Sequence, residues 1–493
     1  MKNESKFSKV LSILLSVVLV VSSFYLLYQV IRLNVLPSKF LFPLTIGVVV
    51  LDAIFILLLV YFSKNVVSKI VCIVLTLFIC VASCMGGYYI SKTQNVLSSI
   101  TNVAKHAKNT VSVIVKESSS IKNKSQLNGV SVGSLRLNEQ GSKKTLKELS
   151  GESIVLNQTE YDSMTALLEA FYNGDVDSII INESSRSQIL DMEAYSNFDS
   201  NTRVVYQTSY KVKNNDSATS VSDITSKPFN VLISGSDTRG GFDENGRSDV
   251  IMIATVNPKT HTILLTSVPR DFYVTTACDA GDGCMQGALD KITHTGIHGT
   301  NTTKRTVEQL LGIEINYTFK VGFDTVTELV DVLGGVDVYV EPGYATTTSQ
   351  FSVHEGVNHL NAEQALAFAR ERYSYTEGDR QRTKNQQQVL MGIVKEATKP
   401  SVITNYAAIM DTMANTFSTT MSNAEITDLI KYQLNNNPTW KMEQYMVDGT
   451  GDTLMCAELG DAASVMVPDQ STVKMAKDKI NAVLAGKSSE DVK

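Results

Sequence analysis

Arginine is the scarce cation of this chain, with 12 arginines against 32 lysines. Seven of the twelve fall in short motifs of one region: Arg239, Arg247, Arg270, Arg370, Arg372, Arg380 and Arg382. A chain that otherwise defaults to lysine uses arginine there. The guanidinium fork binds phosphate oxygens in pairs and keeps its charge when partly buried. Asp237, Asp249 and Asp379 lie among these arginines. Two chemistries suit the mixture: capture of a phosphate or pyrophosphate group, or a closed network of internal ion pairs. Mg²⁺ takes oxygen ligands and commonly joins one or two carboxylates to substrate phosphates. Asp237 and Asp249 are therefore the candidate metal ligands, with Mn²⁺ as an alternative ion. No His/Cys constellation nearby suits a transition metal.

Such a site needs elements that bring distant residues together. Val231–Ile233 reads as a buried strand, and Asp237 follows it after a Ser-Gly-Ser turn. Arg247 and Asp249 lead into a strand at Val250–Val256, and Arg270 leaves a strand at Thr262–Val268. Three segments thus deliver charged groups to strand ends, where α/β folds place their sites. Asn361 and Gln364 have the spacing of a capping box that opens a helix ending near Arg370. If the chain then extends, Arg370 and Arg372 project to one side. A second helix is expected over Asp379–Thr398. Positions 379, 382, 386, 389, 390 and 393 share a face. Val389, Leu390 and Ile393 mark that face as core, so Asp379, Arg382 and Gln386 should point inward. A buried charge without a partner is costly. A bound pyrophosphate or facing ion pairs would supply the partner.

The rest of the chain frames this region. Residues 228–485 read as an α/β/α domain with a central sheet. Residues 214–227 are rich in Ser, Thr, Asn and Asp and read as a linker. Residues 93–213 alternate strand-like and helix-like runs and form a small α/β accessory domain behind a helical stalk. In it, "LNGVSVGSL" and "NGDVDSIIIN" resemble one lobe of a periplasmic-binding-type fold. Residues 486–493 read as a frayed tail.

Residues 1–92 carry three apolar runs, Val10–Val30, Phe40–Phe62 and Ile70–Ile90, each long enough to cross a bilayer. Lysines at the N-terminus favour an N-terminus inside and the large domain outside. Asp52 lies mid-span, where an interhelical hydrogen bond is expected. Residues 93–493 hold 36 basic and 48 acidic residues, a net of −12, which excludes nucleic-acid binding by bulk charge. Cys278 and Cys284 bracket a short Asp/Gly loop. An outside location permits a disulfide between them, with free thiols as the alternative. Cys72, Cys80 and Cys84 fill the third apolar run, and Cys456 has no obvious partner.

The motifs "NVLISGSDTRGG", "GRSDVIMIATVNPKT", "LLTSVPRDFYV", "DKITHTGIHG", "LVDVLGGVDVYV", "LNAEQALAFARERY" and "GDRQRTKNQQQVL" stand in this order between about 228 and 395. In content and order they resemble the LytR–CpsA–Psr family of Gram-positive cell-envelope proteins. Three spans followed by an extra outer domain resemble the streptococcal CpsA branch. The resemblance implies phosphotransfer of a glycopolymer, such as capsule or teichoic acid, from undecaprenyl pyrophosphate to peptidoglycan. It implies metal binding by Asp237 and Asp249. It implies pyrophosphate binding by Arg247, Arg270, Arg370, Arg372 and Arg382, with Gln386 and Lys291 beside them. It implies catalytic roles for Arg270, Arg372 and Asp379, the last either as base or as the partner that orients an arginine. Implied partners are the lipid-linked glycopolymer, peptidoglycan, the membrane and capsule synthesis proteins. Two alternatives use the same arginines: a polyprenyl-phosphate-binding regulator of capsule assembly or chain length, and a pyrophosphatase with water as acceptor.

Overall fold

A computed structural model describes residues 6–62, 65–101, 106–136, 139–236, 244–279, 284–399, 408–409, 412 and 417–492. Two compact units result. One is Met1–Thr101 with Lys395–Ala414 and Ser422–Thr439; the other is Asn102–Val394, Asn415–Met421 and Trp440–Lys493.

The first unit holds three helices long and apolar enough to cross a membrane, over Ser8–Leu33, Ser38–Phe62 and Val66–Thr101. Their outer faces expose Val10, Phe24, Phe42 and Phe78. Water penalises such faces and hydrocarbon does not. Asp52 is buried, and its Oδ1 accepts a hydrogen bond from Ser23 Oγ of the first helix at 2.9 Å. This is the expected interhelical bond. The third helix has 36 residues, ~54 Å at 1.5 Å per residue, so it extends well past a bilayer core. The stalk is thus one continuous helix that ends by Thr101. The helix Asn423–Asn436, within the expected catalytic domain, groups with this unit. Its Asn423 accepts from Thr101 Oγ1 at 2.7 Å.

Among the described residues the second unit contains two large sheets and four two-stranded ones. The strands of the first are β1 (His106–Lys116), β2 (Ser131–Leu135), β3 (Asn157–Tyr161), β4 (Ser178–Asn182) and β5 (Thr202–Lys213), in the order β3-β2-β4-β1-β5. Ser178–Asn182 is buried throughout, as its unbroken Ile run requires. The helix Met164–Asn173 is capped by Ser163 and closed by Gly174 at φ 89°. It lays Leu167, Leu168 and Phe171 on Ile179 and Ile181.

The remaining strands are β6 (Phe229–Ser236), β7 (Ser248–Asn257), β8 (Thr262–Val268), β9 (Tyr273–Thr275), β10 (Leu289–Lys291), β11 (Tyr317–Gly322), β12 (Val336–Val340), β13 (Thr346–Thr347), β14 (Ser352–Val353), β15 (Gly356–Leu360), β16 (Phe417–Thr419), β17 (Lys441–Met446), β18 (Gly449–Cys456) and β19 (Asp461–Pro468). Six of them form the central sheet, in the order β16-β11-β6-β7-β8-β17. Its core joins Leu232, Ile251, Ile253 and Leu264 to helix residues Val307, Leu311, Ala476 and Ile480. The mixed α/β class with three N-terminal apolar helices is the expected one.

The accessory domain does not stand apart from the strands that follow it in the chain. Cys456, Leu459 and Val465 of the β18–β19 hairpin sit inside the accessory core. Met164 N donates to Leu459 O at 2.9 Å. At Gly460, φ is +62°, and a Cβ would lie 2.3 Å from Asp162 O. Cys456 is therefore a buried apolar filler, and burial pushes its thiol up to about 12.

Two segments are more ordered than their composition suggests. The expected frayed tail is anchored, because Ser489 N donates to Glu443 Oε2 at 2.8 Å and Ser489 is buried. Lys479 Nζ holds the carbonyls of Ser489 and Val492. Composition is blind to such long-range partners. The linker carries no helix or strand, yet it is pinned along β11. Thr219 N donates to Asn316 O at 2.8 Å, and Thr318 Oγ1 donates to Asp216 Oδ2 at 2.7 Å.

Asp216 keeps some exposed surface as a residue, but its Oδ1 is enclosed and unpartnered among the described residues. Burial pushes its carboxyl up to about 6; the Thr318 bond and the charges of Lys304 and Lys320 only partly oppose this. A raised carboxyl stabilises the fold below its ordinary value of 3.8 and loses that contribution as pH rises through 6. Asp216→Asn mimics the protonated form. It should be more stable than wild type above pH 7, by about 2–3 kcal/mol. The advantage should vanish below pH 4, which unfolding titrations at several pH values would measure.

Candidate functional site

The central sheet gathers Arg247, Asp249 and Arg270 at one end. β6 runs antiparallel to β7, and β7 to β8. The end of β6, the start of β7 and the end of β8 therefore coincide. Ser236 faces Ser248, and Gly235 faces Val250, so Asp249 is the extra residue of a β-bulge. A bulge re-aims a side chain at a strand end. Here it lets both Arg247 and Asp249 serve the same end. Asp237 and Arg239 lie outside the described residues; Asp237 directly follows Ser236 in the chain.

Buried hydroxyls support this end from beneath. Ser248 Oγ meets Ser234 Oγ at 2.9 Å and Thr303 Oγ1 at 3.0 Å, and Thr295 Oγ1 donates to Thr303 at 2.9 Å. The turn Ile292–His298 packs against the Arg247 segment. A Cβ on Gly296 would lie 2.5 Å from Gly246 O and Ser248 N. Those are backbone atoms and cannot swing aside. Gly296→Ala should cost about 1–3 kcal/mol by overpacking. Thermal unfolding would show it, together with lost activity, because the strain falls on the segment that carries Arg247 and Asp249.

The charges interlock. Arg270 Nη1 donates to Asp249 Oδ1 at 3.0 Å, and Thr293 Oγ1 donates to the same oxygen at 3.2 Å. Arg247 Nη2 lies 3.8 Å from Asp249 Oδ2. Arg382 pairs with Asp379 one helical turn away. Lys291 Nζ donates to Asp271 Oδ1 at 3.2 Å, and Asp271 lies 3.8 Å from Arg270 Nε. Burial pushes the Asp249 carboxyl up, but the charges of Arg247 and Arg270, then Arg382, hold it below the ordinary range. Burial works against charge on Arg270, yet Asp249, Asp271 and Asp379 raise its pKa. For Arg382 the balance is reversed. Burial, with repulsion from Arg270 and Arg372, outweighs Asp379 and Asp249 and lowers its pKa.

The helix Asp379–Ala397 buries the expected Val389 and packs Ile393 on the same apolar core, but it also buries a row of polar residues that the expected face left out. Its buried residues are Gln381, Thr383, Asn385, Gln387, Val389 and Gly392. Leu390 and Ile393 are half-buried, as are Asp379, Arg382 and Gln386. Amides drive the difference, because they find backbone partners. Gln387 Nε2 donates to Tyr445 O at 2.8 Å, and Asn385 Nδ2 donates to Phe368 O at 3.0 Å. This docking turns Arg382 to the wall of the site, with 14% of its side chain exposed. The predicted Asn361–Gln364 capping box is present in both directions. Arg370 ends that helix exposed, and Arg372 packs on the Tyr373 ring at 4.7 Å near the rim. Arg380 is drawn elsewhere, to Asp448 at 2.7 Å and Gly449 O. The expected disulfide joins Cys278 to Cys284.

Several groups of the site were not singled out from sequence. Asp271 stands beside Arg270 in "SVPRD", and its adjacency was the available signal. Thr293 is a lone hydroxyl with no such signal. Asp191, whose Oδ2 accepts from Arg247 Nη1, comes from the accessory domain.

An unusual set of orphans marks the centre. Arg247 Nε, Arg270 Nε and Arg382 Nε are buried without a hydrogen-bond partner among the described residues, as is Ser236 Oγ. Folded proteins rarely leave such donors unmade. Three donors from three arginines around one carboxylate suit a multiply charged oxyanion. A hard cation also fits. Asp249 Oδ1 is taken by Arg270 and Thr293, while Oδ2 has no described partner closer than the Arg247 guanidinium. No group of three His, Cys, Asp or Glu residues forms an all-protein cage among the described residues. Mg²⁺ commonly joins one or two carboxylates to substrate phosphates, and Asp249 is a carboxylate of that kind.

The LytR_cpsA_psr family model matches residues 194–482, more than half of the chain. The chain belongs to the LytR_cpsA_psr family. It is similar to a protein of Bacillus cereus (strain AH820) named polyisoprenyl-teichoic acid–peptidoglycan teichoic acid transferase TagU, with 31% identity over 48% of this chain and 76% of that one. TagU of Bacillus subtilis (strain 168) is 35% identical over 40% of this chain and 60% of its own. Among solved structures, Streptococcus agalactiae protein gbs0355 is 25% identical, with a TM-score of 0.45, over 53% of this chain and 89% of that one. The family match begins at 194, inside the accessory domain.

Proposed function

We propose that this protein transfers a glycopolymer from an undecaprenyl pyrophosphate carrier to peptidoglycan. One observation carries the proposal: three mostly buried guanidinium groups, whose Nε atoms have no hydrogen-bond partner among the described residues, act on Asp249 at one end of the sheet. The names of the TagU relatives, which specify polyisoprenyl-linked teichoic acid and peptidoglycan, support the choice of donor and acceptor.

An acceptor hydroxyl attacks the phosphorus that bears the glycan. A new oxygen–phosphorus bond forms, the bond to the bridging oxygen breaks, and the polyprenyl monophosphate leaves. Arg247, Arg270 and Arg382 hold the phosphates and meet the charge that develops on them. Arg372 and Lys291 serve from the rim, with Arg370 and Gln386 beside the same path. Asp379, paired with Arg382, takes the acceptor's proton or fixes that arginine. Asp249 and Asp237 would hold Mg²⁺, or Mn²⁺, which neutralises phosphate charge when bound. The three apolar helices suit a place in the cell membrane, and the N-terminal lysines favour an N-terminus in the cytoplasm and a site outside, where a lipid-linked donor resides. Capsule polysaccharide and capsule synthesis proteins suit this placement as donor and partners.

The test uses the purified full chain in lipid nanodiscs with lipid-pyrophosphate-linked glycan, Mg²⁺ and peptidoglycan. Glycan bound to peptidoglycan, with equimolar polyprenyl monophosphate released, is the expected product. Lipid binding without any transfer would replace the enzyme with a polyprenyl-phosphate-binding regulator.

A further inference from the structure

The accessory domain reaches the arginine cluster at two points. At the first, Arg247 Nη1 is held by Asp191, the last residue of the helix Arg186–Asp191. At the second, Glu244 begins the described chain that leads to Arg247. Its Oε1 accepts from Lys108 Nζ at 2.9 Å and Thr110 Oγ1 at 2.5 Å, both on β1. Glu244 is buried, and its carbonyl accepts from Lys320 Nζ of β11 at 2.7 Å. Residues 244–247 are thus gripped at both ends by the accessory domain.

The choice of nitrogen matters. A guanidinium binds a phosphate through two parallel N–H groups. Asp191 takes Nη1, while Nη2 turns toward Asp249 and Nε has no described partner. The edge formed by Nε and Nη2 is therefore the one presented to the site. Without Asp191, Arg247 could rotate and present its edges interchangeably. Ordering a long side chain in advance removes that cost from ligand binding. Asp191 keeps 54% of its side chain exposed, whereas that of Arg247 is 10% exposed. The carboxylate therefore holds the arginine from the solvent side.

We propose that the accessory domain is a working part of the phosphate site, with Asp191 as the positioning residue that presents the Nε–Nη2 edge of Arg247 to the ligand. This rests on the phosphate assignment of the arginine cluster. The alternative for the same contact is competition, in which Asp191 occupies Arg247 and is displaced by the ligand. The two differ in sign. Removal of a positioning residue weakens binding, and removal of a competitor tightens it.

The experiment titrates inorganic pyrophosphate into the full chain in detergent at fixed salt, by calorimetry, for wild type, Asp191→Ala, Asp191→Asn and Arg270→Ala. Asp191→Ala should weaken binding about tenfold, the scale of one hydrogen bond to a charged group. It should raise KM for the lipid-linked donor by a similar factor and leave kcat within about twofold. Asp191→Asn keeps an acceptor oxygen and should recover most of the loss, whereas a purely structural defect would not track the acceptor. Unchanged or tighter binding by Asp191→Ala, with wild type binding and Arg270→Ala not, would overturn the proposal alone. No binding by wild type would instead remove the phosphate assignment beneath it.

Discussion

Arg270→Ala should reduce glycopolymer transfer by about 10²- to 10³-fold, the loss typical of a group that meets charge developing in a transition state. Arg270 stands among three carboxylates of the site. It donates to Asp249, lies beside Asp271, and feels the charge of Asp379. Only 15% of its side chain is exposed, so solvent cannot substitute for it. Its removal costs one guanidinium of the cluster and one of the charges that keep Asp249 ionised. Arg270→Lys should recover only a small part, because an ammonium is a point charge and cannot reach two phosphate oxygens from a planar fork. Single-turnover assays with lipid-linked donor would separate this loss from weakened donor binding. Full activity in Arg270→Ala would exclude the cluster as the reaction centre.

Much of this centre is legible in the chain. The strands that end at 236, begin at 248 and end at 268 follow from short apolar runs bounded by turn residues. Their mutual placement follows from antiparallel pairing of neighbours in sequence. Arg247, Asp249 and Arg270 are close because local rules suffice. What escapes is non-local. Asp191 and Arg247 are 56 residues apart, on different domains, and no spacing connects them. The Asp379–Ala397 helix misleads for a related reason. Apolar periodicity assigns its core face to Val389, Leu390 and Ile393, and Val389 and Ile393 do meet the apolar core, but backbone carbonyls on neighbouring elements accept from Gln387 and Asn385 and draw those amides inward as well. A pattern of hydrophobicity cannot see an acceptor supplied by another segment. The anchored residues around Ser489 are hidden by the same blindness, since Glu443 lies far away in sequence.

Asp249→Asn is expected to separate binding from catalysis. Asp249 is the buried anion among Arg247, Arg270 and Arg382, and its carboxyl is held below the ordinary range by them. Asparagine keeps the shape and one acceptor but removes the charge. Three guanidinium groups then repel one another with less compensation. The unliganded protein should lose about 3 kcal/mol, near the lower end of the cost of breaking a buried ion pair. For a unit of this size that corresponds to a fall of roughly 4 °C in Tm. A depressed carboxyl contributes stability above its ordinary value of 3.8, and that contribution is lost as pH falls through its lower folded value. The gap between wild type and variant should therefore be full at neutral pH and close only in strong acid. Pyrophosphate supplies the missing negative charge. It should raise the Tm of the variant more than that of wild type and bind at least as tightly. Transfer should nonetheless fall about 10²-fold or more, because the carboxylate that orients Arg270 and would hold the metal is gone. Weaker pyrophosphate binding by the variant would mean that Asp249 serves the ligand directly, through a bound cation, more than it serves the arginines.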